Sequence, residues 1–152
     1  MTTLAGLAAL LILADPSSAA GKPAQPPASR AASNDLACLA EAVYFEAGGT
    51  GKSGAAAVAH VVVNRTKSPK FPGSVCAVVR DGCQFSYKCD GRSDALANPE
   101  RREEAMAVAR AVLAGAPDIT NGALFFHAAG AKPGWFKSRP KVGLIGGNIF
   151  YR

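Results

Sequence analysis

The chain has 152 residues, 49% of them hydrophobic, and a formal net charge of +6 from 17 basic and 11 acidic residues. A sequence of this length holds one folded domain and excludes two. The basic balance favours an anionic partner.

Residues 1–20 run through Leu4, Ala5, Gly6, Leu7, Ala8, Ala9, Leu10, Leu11, Ile12, Leu13 and Ala14, then turn small and polar at Asp15, Pro16, Ser17 and Ser18. This apolar core is shorter than the roughly 20 residues that span a bilayer. It matches the h-region of a signal peptide, with Ser18, Ala19 and Ala20 as a cleavage site before Gly21, although no Lys or Arg precedes it. The expectation is an exported protein of the periplasm or cell wall, with no stable membrane span after cleavage. Without residues 1–20 the chain keeps 17 basic and 10 acidic residues, a charge of +7. Nucleic acid and the anionic cell wall both suit such a surface. Export favours the wall, so no nucleic-acid partner is expected.

Residues 21–34 mix Pro23, Pro26 and Pro27 with Ala, Ser and Lys and read as a linker. The catalytic domain is then expected over residues 35–152, as a monomer. It holds four cysteines, Cys38, Cys76, Cys83 and Cys89. An even number after an export signal favours two disulfides, for which three connectivities exist. Cys83–Cys89 closes a short loop and is preferred, which leaves Cys38–Cys76.

A first helix is expected over residues 35–47, because Leu36, Leu39, Ala40, Val43 and Ala47 share one face and Gly48-Gly49 ends it. Ala55, Val58, Ala59 and Val62 repeat the spacing and predict a helix over residues 52–65. Pro69 and Pro72 make residues 66–73 a loop, residues 74–81 a short helix, and residues 84–87 an extended or strand-like piece. Asn98 caps a third long helix that has Pro99 in its first turn and stops at Gly115. Strands follow at residues 123–127, 142–145 and 148–151. Helices followed by a small antiparallel sheet define an α+β class.

The carboxylates are the groups most suited to chemistry. Cleaving a glycosidic bond needs a carboxylic acid that stays protonated near neutral pH. On a wheel of the first helix, Glu46 falls about 80° from the centre of the apolar stripe and Glu41 about 140° away, toward solvent. Burial and the negative end of the helix dipole both push the Glu46 carboxyl upward. Asp81, Asp90 and Asp94 have no spacing that pairs them with Glu46. A lone acid fits a lytic transglycosylase, in which the substrate's own C6 hydroxyl replaces water. His60 and His127 lie far apart, without His-x-x-x-His or Cys-x-x-Cys spacing, so neither a metal nor a cofactor is expected. His127 ends the apolar run Leu124-Phe125-Phe126, and cleft and core weigh evenly for it. Trp135, the only Trp, is placed by its Gly/Pro loop either on a sugar ring or in the core.

The segments Cys38-Leu39-Ala40-Glu41-Ala42-Val43-Tyr44-Phe45-Glu46-Ala47, Val58-Ala59-His60-Val61-Val62-Val63-Asn64-Arg65, Phe71-Pro72, Gln84-Phe85-Ser86 and Ile145-Gly146-Gly147-Asn148-Ile149-Phe150-Tyr151-Arg152 together resemble the SleB/CwlJ-type cell-wall hydrolases. The resemblance covers nearly all of residues 36–152. It implies a lysozyme-like α+β domain related to lytic transglycosylases, acting between N-acetylmuramic acid and N-acetylglucosamine of peptidoglycan. It places the catalytic glutamate of a Tyr-x-Glu-Ala segment on Glu46. It implies a glycan cleft lined by Gln84, Phe85 and Ser86, to which Tyr44, His127 and Trp135 are added as substrate-binding candidates. Where the family continues Glu-Ala-Arg-Gly-Glu, this chain reads Glu46-Ala47-Gly48-Gly49-Thr50, and Asn148 stands where the family usually has His. The alternatives are a cell-wall amidase or peptidase, and a peptidoglycan-binding module without turnover.

Overall fold

A computed structural model describes residues 26–152. The expected signal segment and the first part of the linker lie outside the described residues. Four α-helices, α1 (Pro27–Glu46), α2 (Gly51–Thr66), α3 (Val75–Val79) and α4 (Pro99–Leu113), precede three strands, β1 (Phe125–Ala128), β2 (Lys141–Ile145) and β3 (Asn148–Tyr151). Two short 3-10 turns, Ser86–Cys89 and Gly134–Ser138, interrupt the connections. The expected α+β class is what the chain forms.

Two expectations change. The first helix begins at Pro27 rather than residue 35, because Ala-rich sequence behind a proline at the first helical position continues the turn without burying anything. Residues 27–34, expected as linker, are therefore helical and mostly exposed. Residues 84–87 are not strand-like: Cys83 and Cys89 are joined, and within that small ring Ser86–Cys89 coils into a 3-10 turn. The second bond links Cys38 of α1 to Cys76 of α3, so both pairings are the preferred ones.

The helices enclose the main core. Leu39, Ala40, Ala42 and Val43 of α1 meet Val58, Ala59 and Val62 of α2, Val78 and Val79 of α3, and Ala105, Ala109 and Val112 of α4. The adjoining face of α2 carries Ala57 and Val61 into a second cluster with Ala123 and Phe150, against which Phe126, Val142 and Ile145 pack. The strands run antiparallel in the order β1-β3-β2. Gly146 and Gly147, both at positive φ, turn β2 into β3. A Cβ at Gly146 would stand 2.5 Å from Gly54 Cα of α2, so only glycine lets the hairpin press against the helix.

A polar latch fastens the segment before β1 to α2. Asp118 accepts from the backbone N–H of Thr120 (2.8 Å) and Gly122 (2.8 Å), the Thr120 hydroxyl (2.6 Å) and Asn64 Nδ2 (2.9 Å). Burial opposes ionisation of Asp118, but these hydrogen bonds outweigh it and hold the carboxyl down at about 2. A carboxylate whose native pKa is depressed adds stability above its unfolded value and loses it as pH falls toward the native one. Asp118→Asn is therefore expected to cost on the order of 2 kcal/mol at pH 7. In denaturant titrations the gap between variant and parent should narrow as pH falls from about 4 to about 2; a gap independent of pH would refute the latch.

Candidate active site

Glu46 is the last residue of α1. The apolar stripe that drives α1 into the core carries its side chain half under the surface. Burial raises its carboxyl above the ordinary value, and the Arg65 cation partly opposes the rise. The contrast drawn with Glu41 holds only in part. Glu41 is also half-buried rather than solvent-facing, but it is compensated: Lys88 forms an ion pair with it and the Tyr87 hydroxyl donates to Oε1 at 3.1 Å. Lys88 also bridges to Asp94 at 2.7 Å. Glu46 has no ion-pair partner within 4.0 Å among the described residues. It is the one carboxyl there whose pKa is clearly raised.

Arg65 was not singled out from the sequence as a site residue. It sits on the stripe Val58, Val61, Val62, Arg65 of α2, spaced i, i+3, i+4 and i+7, and a cation at that last position is the signal that marks it. Its guanidinium is surrounded by Phe71, Phe85 and Phe125, at 4.9, 5.4 and 6.0 Å. Nε donates to Leu124 O at 2.9 Å, and Nη1 has no acceptor among the described residues. Burial pulls its pKa down to about 10, against the opposing charges of Asp81 and Glu46. An incompletely paired buried cation is costly to keep.

Arg65 opens onto a cleft of about 630 Å³ whose other walls include Asp81, Gln84, Phe125, Phe126, Trp135 and Arg139. Glu46 is not among these walls, but the charge of Arg65, which is, acts on its carboxyl. Asp81, read as a helix-end residue with no link to Glu46, does line the cleft. Arg139, whose guanidinium lies 3.5 Å over the Phe125 ring, also lines it. Neither could be found without the fold, since both reach the cleft from connections between elements.

Of the expected binding residues, Gln84 and Trp135 are in the cleft walls. Trp135 is 39% exposed, which decides for the cleft over the core. Phe85 is buried beneath Arg65, and Ser86 is exposed outside the walls. Tyr44 is buried in the helical core, where its hydroxyl accepts the Asn98 N–H at 3.1 Å. His127 is buried too: Nδ1 donates to Ala128 O at 2.8 Å, which leaves Nε2 to accept from the Tyr151 hydroxyl at 3.0 Å. Both ring nitrogens are therefore occupied. Its ring stacks on Tyr151 and meets the edge of Trp135, which makes His127 a support for the tryptophan.

The missing side chain at Gly48 also has a structural counterpart. A Cβ there would lie 2.8 Å from Arg101 Nη2, so a guanidinium from α4 fills the space over Gly48. Arg101 donates from Nη2 to Tyr44 O at 2.7 Å and lies 4.4 Å over the Tyr44 ring, placing a cation at the negative end of α1.

A small antiparallel sheet packed on a helical layer, with a desolvated glutamate whose carboxyl feels the arginine of an aromatic cleft, is an arrangement suited to acid–base chemistry on an extended substrate. Residues 49–151 match the family described as Cell Wall Hydrolase, and the chain belongs to that family. The match begins just after Glu46. The chain is 37% identical over 120 residues to the spore cortex-lytic enzyme of Halalkalibacterium halodurans and 36% identical over 117 residues to that of Bacillus subtilis. Each alignment covers 77% of this chain but only 34% and 37% of those relatives, so the chain spans about a third of their length. Among solved structures, it is similar to the catalytic domain of the germination-specific lytic transglycosylase SleB from Bacillus anthracis, with a TM-score of 0.66 and 33% identity, covering 78% of this chain and 94% of that one. The catalytic domain of the Bacillus cereus SleB protein gives a TM-score of 0.64 at 30% identity, covering 79% of this chain and 91% of that one. The lysozyme-like fold is thus shared with catalytic domains.

Proposed function

We propose that the chain is a peptidoglycan lytic transglycosylase that cuts glycan strands between N-acetylmuramic acid and N-acetylglucosamine, outside the cytoplasm, with Glu46 as acid and then base. The observation that carries this reading is the raised Glu46 carboxyl, without an ion pair among the described residues, which feels the charge of Arg65 in the wall of a cleft that also holds a half-exposed tryptophan. Protonated Glu46 gives its proton to the glycosidic oxygen as the C1–O bond breaks. The C6 hydroxyl of the same muramoyl sugar attacks C1, and the Glu46 carboxylate takes the hydroxyl proton. A 1,6-anhydro ring forms, the acid is restored, and no water is consumed. Export through a signal peptide in residues 1–20 and a linker between it and α1 belong to this proposal, as does action as a monomer. Among the described residues, no helix is long and apolar enough to cross a membrane.

Asp81 supports a second reading. A carboxylate in the cleft wall could activate a water on the far side of the sugar, as inverting hydrolases do. Digestion of purified peptidoglycan, with mass spectrometry of the fragments, separates the two. The lyase yields anhydromuramic ends, and Asp81→Asn changes its rate little. Reducing ends that vanish with Asp81→Asn would replace it with the hydrolase. Released stem peptides would point to an amidase or peptidase instead.

A further inference from the structure

We propose that the hollow beside the cleft, bordered by Arg139, binds through Lys132, Lys137 and Lys141 the carboxylates of the stem peptide attached to the glycan strand. The inference rests on the function proposed above and extends it to a second part of the substrate. The hollow measures about 390 Å³ and is floored by His127, Phe136, Ile149 and Tyr151. Its walls carry four cations and no carboxylate. None of the four is in an ion pair among the described residues. Like charges gathered without counter-ions repel one another, and a fold keeps such a cluster at little cost only at an exposed surface. Lys132, Lys137 and Lys141 are exposed, within reach of a ligand.

Arg139 belongs to both hollows, so they are contiguous across one side chain. A sugar stacked on Trp135 would carry its lactyl-linked peptide past Arg139 toward the lysines. Strongly hydrated ammonium groups gain more from a charged carboxylate than from a neutral hydroxyl. The peptide is tethered to the sugar in the cleft, and this raises its local concentration above that of any free anion.

The test is a titration of the full chain with four soluble probes: a disaccharide-tetrapeptide, the same compound with its carboxylates amidated, the peptide-free disaccharide, and inorganic polyphosphate. The acid form should bind about tenfold more tightly than the amidated form at low salt. That gap should shrink above about 0.15 M salt. The triple variant Lys132→Gln, Lys137→Gln, Lys141→Gln should remove the gap, leaving affinity for the amidated probe and cleavage of peptide-free glycan unchanged. Equal affinity for acid and amidated probes would overturn the proposal, as would a gap that survives in the triple variant. Tighter binding of the peptide-free disaccharide would move the contact to the lactyl group and reject the peptide. Tighter binding of inorganic polyphosphate than of the tetrapeptide would assign the hollow to a phosphate polymer. Cleavage without a gap sinks the subsite alone; a gap without cleavage sinks the enzymatic reading alone.

Discussion

Glu46→Gln should abolish release of soluble fragments from peptidoglycan, lowering the rate by on the order of 10²–10⁴-fold, while the variant melts at a higher temperature than the parent at neutral pH. The two effects share a cause. Burial favours the protonated carboxyl of Glu46 in the folded chain. A group whose native pKa is raised binds more protons folded than unfolded, so ionising it costs stability as pH climbs past the unfolded value. Glutamine is neutral at every pH and removes that cost, along with the proton proposed for the leaving oxygen. The melting advantage should be present at pH 7 and absent below the ordinary glutamate pKa, where both chains are neutral at this position. Parent activity should fall as pH rises through the raised pKa of Glu46. A variant that still releases fragments would dethrone Glu46; one that is inactive but less stable at neutral pH would show that Glu46 is held ionised by a partner.

The second large effect concerns the crosslinks. Replacing Cys38 and Cys76 together with alanine should lower unfolding stability by about 4 kcal/mol, against about 2 kcal/mol for Cys83 and Cys89. The difference follows from ring size: the residues are 38 apart in the first pair and 6 in the second. A domain of this size has only about 5–15 kcal/mol of stability, so losing the first bond brings it near unfolding at growth temperature. Losing the second leaves a folded domain whose cleft wall is loosened, because that ring carries Gln84. Denaturant titrations of the two double variants, with KM for glycan cleavage, separate the roles. Equal losses of stability, or a larger loss from Cys83–Cys89, would contradict the ring-size argument.

What the sequence disclosed depended on whether one element sufficed to show it. Glu46 was legible because the wheel of α1 alone sets its depth, and α4 because Asn98 and Pro99 mark its start locally. Residues 27–34 were misread because an exposed Ala-rich helix has no apolar period to display. Residues 84–87 read as extended or strand-like, yet they belong to a small closed ring from which the Phe85 and Tyr87 side chains turn inward. Glu41 looked solvent-facing on its helix, and only the 3-10 turn bearing Tyr87 and Lys88 covers it. The pairing of Arg65, Asp81 and Arg139 in one cleft is a tertiary fact. Each comes from a different part of the chain, and no spacing links them.

Both hydrophobic clusters draw on α2, from two adjoining faces of the helix. The helix is thus a party wall between two rooms, and neither room can shift without carrying it along. Arg65, near its end, is held by the helical side through Phe85 and by the sheet side through Leu124 O. The two lips of the cleft therefore form a fixed jaw rather than a hinged one. Amide exchange of α2 and of the sheet should open in a single cooperative event, and a ligand entering the cleft meets an aperture whose width is already set.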